Sequence, residues 1–307
     1  MALCSKDLLG LEGVSKEEIN IILDTAFEMK KILNSPSKKA PHMVGRTVIT
    51  LFYENSTRTR VSFDLACKYL SAAASNISVA TSSVAKGETL LDTGRTLDRM
   101  EADVIIMRHP MGGAPHMLAK AVKASVINAG DGMHEHPTQA LLDMMTMKEK
   151  KGSLEGLKVA IVGDILHSRV ARSNVWGLTT MGADVTLCGP STMIPVGIEK
   201  AGAKVTNDVE AAIKDVDVVM GLRIQKERQN DGLYPSIREY HRFFGLNERR
   251  LSLAKNDALI MHPGPVNRGV EMSSMVIDHE RSAIDEQVTN GVAIRMALLY
   301  LLTRSAS

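Results

Sequence analysis

The chain has 307 residues, 44% of them hydrophobic, which is comfortable for two ordinary globular domains. Its net charge of +2 gives no indication of a nucleic-acid or membrane surface, so any attraction for anions must be local. The three cysteines are scattered without a CxxC pair, and neither a disulfide framework nor a zinc site is indicated. No apolar stretch reaches membrane-spanning length and the N-terminus lacks a basic region before an apolar run, so we expect a cytoplasmic protein.

Strand and helix patterns alternate through the first half of the chain. Ser15 and Glu18 have the spacing of a capping box and start an amphipathic helix. Short apolar runs predict strands near 47–52, 77–79, 104–107 and 125–128. Helical spacing predicts helices near 56–70, 89–100, 114–121 and 138–150. This alternation is typical of an α/β domain with a mostly parallel sheet.

A second α/β series follows a boundary at residues 151–156, where Gly152 and Gly156 interrupt the pattern. It contains strands near 159–162, 184–188, 216–220 and 258–261, and a charged, irregular stretch at 222–250. The last helix, near 286–303, is apolar enough to need covering by the first domain. We therefore predict an α/β protein of two doubly wound domains with mostly parallel sheets, residues 1–150 plus 286–307 and residues 151–285, with the C-terminal helix returning to the first.

The densest chemical motif comprises Ser56, Thr57, Arg58, Thr59 and Arg60, which follow a strand and begin a helix. A helix N-terminus presents free N–H groups and the positive end of the helix dipole, so it binds anions. The hydroxyls add donors, and the fork of Arg58 matches phosphate oxygens. A capped helix with solvated arginines is the alternative, but so many donors in one turn favour phosphate binding.

Polar residues also follow four other predicted strands. They are Arg108, His136 with Gln139, Arg169, and Arg223 with Gln225. In open α/β sheets, ligands bind beyond the carboxyl ends of the strands, so we expect these side chains to converge on one cleft. A single arginine after a strand is more often a surface ion pair. Together with Arg58 these three make four arginines in equivalent places, which suit small ligands that carry several negative charges.

His136 and Lys86 each keep more than one interpretation. His136 precedes a proline, and it is either a structural helix cap or a donor that polarises a carbonyl oxygen. Gln139 lies one helical turn further and could bind an amide group nearby. Lys86 lies in a glycine-flanked loop, where a solvated lysine is the preferred interpretation. The chain has no P-loop, GxSxG or HExxH motif, and the segment at Gly163 lacks the further glycines of a dinucleotide fingerprint.

Seven motifs, in order along essentially the whole chain, resemble those of the aspartate carbamoyltransferase family. They are STRTR at 56–60, KGET at 86–89, MRHP at 107–110, HPTQ at 136–139, SRVARSN at 168–174, RIQKER at 223–228 and HPGPVNRGVE at 262–271. Ornithine carbamoyltransferases have motifs of the same type as STRTR and HPTQ, whereas RIQKER and HPGPVNRG are specific to the aspartate enzymes. Ornithine enzymes have a cysteine-containing HCLP segment where this chain has His262 to Pro265, and some aspartate enzymes have leucine in place of Gly264.

The resemblance implies transfer of the carbamoyl group from carbamoyl phosphate to the amine of aspartate, in de novo pyrimidine biosynthesis, without a metal or organic cofactor. The implied carbamoyl-phosphate-binding residues are Ser56, Thr57, Arg58, Thr59, Ser82, Arg108, His136, Gln139, Gly264 and Pro265. The implied aspartate-binding residues are Lys86, Arg169, Arg223 and Gln225. The implied catalytic residues are Arg58, Thr59, Lys86, Arg108 and His136.

The resemblance also implies a homotrimer with shared active sites. Ser82 and Lys86 would reach into a neighbouring subunit, which replaces the interpretation of Lys86 as a solvated lysine. Glu54 would pair across the domains with Arg169 and Arg228, and a cis peptide bond would precede Pro265. A regulatory chain or another pathway enzyme is a candidate partner. The rival functions are carbamoyl transfer to another amine such as ornithine, and non-catalytic anion binding.

Overall fold

A computed structural model of the chain describes residues 3–78, 87–224 and 236–305. The chain divides into two compact units: a first unit of Met1–Leu141 with Thr289–Ser307, and a second unit of Leu142–Val288. The domain boundaries near 150 and 286 remain predictions, and both positions fall within helices. Among the described residues, no helix is both long and apolar enough to span a membrane.

The first unit contains a four-stranded parallel sheet in the order β2-β1-β3-β4. Its strands are β1 (Thr47–Phe52), β2 (Ala73–Ser78), β3 (Val104–His109) and β4 (Ser125–Asp131). Its helices are α1 (Lys16–Leu33), α2 (Thr57–Tyr69), α3 (Leu90–Arg99), α4 (Ala114–Ala119) and the beginning of α5 (Pro137–Lys151). The predicted parallel α/β architecture is confirmed.

Local sequence explains where α1 begins. The backbone N–H of Glu18 donates to the hydroxyl of Ser15 at 3.2 Å, and the Glu18 carboxylate accepts from the backbone N–H of Ser15 at 3.5 Å. These two bonds form the predicted capping box. The buried face of α1 includes Ile19, Ile22 and Leu23, as the periodicity predicted.

Two details of the first unit differ from the prediction. Strand β2 begins at Ala73 rather than near 77, because in-register pairing with β1 overrides the low strand propensity of alanine and serine. Helix α2 buries Phe63, Ala66 and Cys67, whereas Val61 is 49% exposed. The sequence spacing of Val61, Leu65 and Leu70 indicates one apolar face, and this prediction is wrong at Val61, although Leu70 is buried, because Phe63 sets the buried side of the helix.

The second unit contains a five-stranded parallel sheet in the order β7-β6-β5-β8-β9. Its strands are β5 (Lys158–Val162), β6 (Asp184–Cys188), β7 (Lys204–Thr206), β8 (Val218–Gly221) and β9 (Leu259–Met261). Its helices are α6 (Arg169–Thr180), α7 (Val209–Ile213), α8 (Ile237–Phe244), α9 (Glu248–Leu251), α10 (Ser274–Ile277) and the first turn of α11 (Ile284–Ser305). Strand β7 and helices α7 and α10 were not predicted, since elements of three to five residues carry little periodicity.

Helix α11 belongs to the first unit from Thr289 onward. Its Arg295 is buried, donates to the hydroxyl of Ser62 at 3.0 Å and stacks 5.1 Å from the centroid of the Phe63 ring. A buried arginine requires such partners, because its charge cannot be neutralised by losing a proton. The prediction that the C-terminal helix returns to the first unit is confirmed.

Candidate functional site

The first group of site residues lies where the strand order of the first sheet reverses, between β1 and β3. Phe52 at the end of β1 pairs in register with Arg108 of β3. The backbone N–H of Tyr53 then donates to the carbonyl oxygen of Arg108 at 2.9 Å. The segment that leads into α2 therefore starts beside Arg108. In doubly wound sheets, such a reversal opens the crevice that receives a ligand.

In the described part of the chain, the side chain at the N-cap of α2 does not cap its own helix. Ser56 is the N-cap with extended backbone, yet among the described residues its side chain makes no capping hydrogen bond. Thr57 and Arg58 are exposed, while Thr59 is 6% exposed. A hydroxyl that does not cap its own helix can serve an external anion together with the helix N–H groups. This geometry fits the predicted phosphate site.

Arg108 is held from two sides. Its Nη1 donates to the carbonyl oxygen of Ala129 in β4 at 3.2 Å, and its Nε lies 3.2 Å from a carboxylate oxygen of Glu54. These contacts orient the guanidinium at the strand ends, where its side chain is only 13% exposed. Glu54 thus has a partner in its own unit that the sequence did not predict. Its pairing with Arg169 stays a prediction, and Arg228 lies outside the described residues.

His109 follows Arg108, and its ring lies 4.6 Å from the ring of Tyr53. Burial lowers the pKa of His109 below its ordinary value, outweighing a backbone hydrogen bond with Met111 and the nearby carboxylates of Glu54 and Asp131. The imidazole is therefore neutral at physiological pH, and the cation at this strand end is Arg108.

His136 lies at the start of α5 and is 5% exposed. Its Nδ1 is 3.4 Å from the hydroxyl of Thr138, and that hydroxyl accepts from Nη2 of Arg295 at 3.5 Å. The Thr138 hydroxyl can still donate its own proton to Nδ1, so this contact is compatible with the tautomer whose proton is on Nε2. Gln139 lies in the same turn, and its backbone N–H donates to the carbonyl oxygen of His136 at 3.0 Å.

The second group of site residues lies where the strand order of the second sheet reverses, between β5 and β8. Gly163 follows β5 with φ of +145°, and a Cβ there would be 2.8 Å from the carbonyl oxygen of Leu222. Only glycine lets the segments after β5 and β8 approach this closely. Arg169 begins α6 after its N-cap Ser168 and is 4% exposed. Arg223 follows β8 and is half-buried.

The segment after β9 carries Gly264 and Pro265. Gly264 has φ of +65°, and the bond between the two residues is cis, as the resemblance implied. The backbone N–H of Gly264 donates to Nδ1 of His262 at 2.8 Å. Nδ1 of His262 therefore accepts this bond and carries no proton. The other ring nitrogen, Nε2, lies 3.4 Å from a carboxylate oxygen of Glu271. These contacts hold the backbone of this turn in place.

A buried network that sequence reasoning missed supports the same turn. The backbone N–H of His262 donates to Oε1 of Gln287 at 3.0 Å, and Nε2 of Gln287 donates to Asp143 at 2.7 Å. The other carboxylate oxygen of Asp143 accepts from Nδ2 of Asn174 at 2.8 Å. Gln287 and Asp143 are 144 positions apart, so no local pattern could have joined them.

The structure thus brings the predicted residues together in two groups, one in each unit. The first group contains Glu54, Ser56, Thr57, Arg58, Thr59, Arg108, His136 and Gln139. The second group contains Arg169, Arg223, Gly264 and Pro265. Ser82, Lys86, Gln225 and Arg228 lie outside the described residues.

Known proteins share this fold and most of this sequence. The carbamoyl-phosphate-binding domain of aspartate/ornithine carbamoyltransferases matches residues 6–149, and their Asp/Orn-binding domain matches residues 155–302. An aspartate carbamoyltransferase catalytic subunit from Acetivibrio thermocellus is 71% identical over 307 residues, covering 100% of this chain and 98% of the relative.

Two solved structures are also similar. Aspartate transcarbamoylase from Trypanosoma cruzi, in complex with N-(phosphonacetyl)-L-aspartic acid, has a TM-score of 0.88 and 31% identity, covering 96% of this chain and 95% of that one. Ornithine carbamoyltransferase from Pyrococcus furiosus has a TM-score of 0.87 and 33% identity, covering 98% of each chain.

Fold, site and domain matches define a carbamoyl-transferring enzyme, and the chain belongs to the aspartate/ornithine carbamoyltransferase family. The fold does not separate the two acceptors, since TM-scores to the two solved enzymes differ by only 0.01 (0.88 and 0.87). Sequence does separate them: the identity of 71% to an aspartate enzyme favours aspartate over ornithine as the acceptor.

Proposed function

We propose that this chain transfers the carbamoyl group of carbamoyl phosphate to the amine of L-aspartate, releasing N-carbamoyl-L-aspartate and phosphate. The observation that carries the proposal is the N-terminus of α2, where among the described residues the Ser56 hydroxyl does not cap its own helix, placed beside Arg108 at a strand-order reversal. A phosphate needs several donors on different oxygens, and this place provides backbone N–H groups, hydroxyls and guanidiniums together.

The first group of residues binds carbamoyl phosphate in this proposal. Ser56, Thr57, Arg58 and Thr59 hold the phosphate, and Arg108 bridges phosphate and carbonyl oxygen. His136 donates from Nε2 to that carbonyl oxygen, a tautomer compatible with its contact to Thr138. Gln139 and the backbone carbonyls of Gly264 and Pro265 bind the carbamoyl amide. Ser82 adds a hydroxyl from a neighbouring subunit.

Two arginines of the second group bind aspartate, whereas Gly264 and Pro265 of that group contact carbamoyl phosphate. Arg169 and Arg223, together with Gln225 and the Lys86 of a neighbouring subunit, neutralise the two carboxylates. Arginine suits this task because its planar fork binds both oxygens of a carboxylate and never loses its charge. Glu54 and Arg228 act between the domains rather than on a substrate. Ornithine has a cationic side chain in place of the second carboxylate, so this positive set of side chains would repel it.

The chemistry follows from these contacts. The aspartate amine attacks the carbonyl carbon, and negative charge grows on the carbonyl oxygen. Arg108, His136 and Thr59 stabilise that charge with donors already in place. Phosphate leaves and itself accepts the amine proton, so no protein base is required. Holding two anions together lowers the barrier further, because the reaction no longer waits for a bimolecular encounter.

The proposal includes a homotrimer with shared active sites, a cytoplasmic location and a role in pyrimidine biosynthesis. A regulatory chain or another pathway enzyme is a candidate partner, in line with the name of catalytic subunit borne by the relatives. These parts of the proposal concern the oligomeric state, the cellular location and the pathway, and they go beyond the family assignment.

Carbamoylation assays with aspartate, ornithine and putrescine, run side by side with carbamoyl phosphate, test the function. We expect turnover with aspartate and at most trace turnover with the two amines, because neither amine carries two carboxylates for the arginines. Equal or greater turnover with ornithine or putrescine would reassign the acceptor. Binding of phosphate and aspartate without any turnover would instead support a non-catalytic anion-binding protein.

Subunit mixing tests the shared site. Lys86→Ala and Arg58→Ala chains should each be nearly inactive alone, because each lacks a cation that contacts an anionic substrate. After dissociation and joint reassembly, activity should return. A Lys86→Ala chain then supplies an intact Arg58, and its Arg58→Ala neighbour supplies an intact Lys86. The readout is the specific activity of hybrid trimers verified by native mass measurement.

The matched control mixes the Arg58→Ala chain with a chain that carries both substitutions. No interface of that mixture combines an intact Lys86 with an intact Arg58, so activity should stay at the level of the variants alone. If verified Arg58→Ala and Lys86→Ala hybrids recover no activity either, the lysine does not act across subunits.

A further inference from the structure

Three metal-ligating side chains meet in the first unit: His116 of α4, Asp131 at the end of β4, and His134 in the turn that follows. One nitrogen or oxygen atom of each lies within 4.8 Å of the other two. Nδ1 of His134 is 3.1 Å from Oδ2 of Asp131, and the two imidazole rings pack edge to face with centroids 5.5 Å apart. The pattern is not one that spacing along the chain would reveal.

The distances are close to those of a tetrahedral metal centre. With metal–ligand bonds of about 2.0–2.1 Å, neighbouring ligand atoms of a tetrahedron lie about 3.3 Å apart. The Asp131–His134 separation of 3.1 Å is already near that edge length. The other pairs, within 4.8 Å, need to close by at most about 1.5 Å, which a small rotation of the His116 ring supplies.

His116 has a nitrogen with nothing to bind. Its Nδ1 is buried and lacks a hydrogen-bond partner within the parts of the chain that the structure describes. Buried polar atoms are almost always paired, so an unpaired one calls for an explanation, and a bound ion is one. The same histidine belongs to the cluster with Asp131 and His134.

Asp131 is already held as a metal ligand requires. Its carboxylate accepts from Nδ2 of Asn128 at 2.8 Å, from the backbone N–H of Gly113 at 2.7 Å and from that of Glu135 at 3.1 Å. Such outer contacts orient a ligating carboxylate before the metal arrives.

The cluster borders a cavity that suits a cation. His116 and His134 line a space of about 500 Å³ together with the acidic residues Asp7, Glu12, Glu18 and Glu135. Asp7 is paired with Lys6, but among the described residues no lysine or arginine lines the cavity itself. A cation entering this space meets carboxylates of the opposite sign, and a fourth coordination position would face it.

We propose that His116, Asp131 and His134 bind a divalent transition-metal ion of the Zn²⁺ type, with a water molecule from the cavity in the fourth position. Two imidazoles and one carboxylate are a common zinc ligand set, and they bind Co²⁺ in the same geometry. The ion would link α4 to the turn at 131–135, which the backbone bond from Asp131 N–H to the carbonyl oxygen of Glu135 closes. No step of the proposed carbamoyl transfer passes through this ion.

Calorimetric titration of the metal-free full-length chain with Zn²⁺, and with Co²⁺ as a spectroscopic probe, tests the site. We expect one ion per chain, the intense visible absorption of four-coordinate Co²⁺, and a higher melting temperature in the presence of Zn²⁺. His116→Ala and His134→Ala should each weaken binding by about tenfold or more and abolish the Co²⁺ band. His116→Gln, which keeps the side-chain volume closer, should behave like His116→Ala.

His42→Ala is the matched control, because His42 is an exposed histidine of the same unit whose ring packs on Tyr300. It should bind Zn²⁺ like the unchanged chain. Circular dichroism establishes that each variant is folded before titration. The proposal is overturned if the unchanged chain binds no stoichiometric ion, or if folded His116→Gln and His134→Ala chains bind Zn²⁺ with the affinity of the His42→Ala control.

Discussion

Arg58→Ala should lower turnover by about a thousandfold or more, because a charge-assisted phosphate contact is lost where no other side chain can replace the fork. The side chain is exposed at the N-terminus of α2, so the free energy of unfolding should change by no more than about 0.5 kcal/mol. Steady-state kinetics and thermal unfolding of the same preparation separate the two effects. Near-normal turnover in a folded variant would remove Arg58 from the phosphate site.

Two matched variants sharpen this result. Lys68→Ala removes a cation from the other end of α2, where Lys68 pairs with Asp64 at 2.7 Å on the surface, and it should leave turnover unchanged.

Arg223→Ala should raise the KM for aspartate far more than the KM for carbamoyl phosphate, because Arg223 is assigned to the second substrate. An effect of Arg223→Ala confined to carbamoyl phosphate would reverse the assignment of the two groups.

His136→Ala should lower the maximal rate by about tenfold to a thousandfold, the range for losing one donor to a developing oxyanion. The effect should fall mainly on kcat, since the donor matters most when charge has grown on the carbonyl oxygen. Rates measured at saturating concentrations of both substrates provide the test. An unchanged maximal rate would return His136 to the role of a structural residue at the start of α5.

His136→Gln is the informative companion. Glutamine keeps a neutral N–H donor of similar reach, so part of the lost rate should return if donation is the role of His136. Thr138→Val should also lower the rate, though less, because it removes the hydroxyl beside Nδ1 while leaving the ring in place. If His136→Gln is as slow as His136→Ala and both melt earlier, packing rather than donation explains the loss.

Local sequence predicted the parts of the site that depend on neighbours along the chain. The strand ending at Phe52, the N-cap at Ser56 and the hydroxyl and arginine side chains after it follow from apolar runs and capping patterns within a few residues. The resemblance then supplied the roles, and the family assignment confirmed the reaction class. Where one large side chain decided a helix face, as Phe63 does in α2, local spacing failed.

Contacts between residues far apart along the chain could not be predicted from the sequence. Arg295 reaches Thr138 across 157 positions, and Gln287 reaches Asp143 across 144, so the supports of His136 and of the turn at Gly264 appear only in the folded chain. The cluster of His116, Asp131 and His134 likewise forms because β4 ends beside α4.

The sequence by itself therefore determined the element types and the chemistry at each strand end, because capping, periodicity and strand-end motifs act over a few residues. Only the tertiary structure decided which strand ends are adjacent and which buried residues support the side chains of the site. Strand order and register set those distances, and both depend on packing the two sheets against their helices rather than on any one segment.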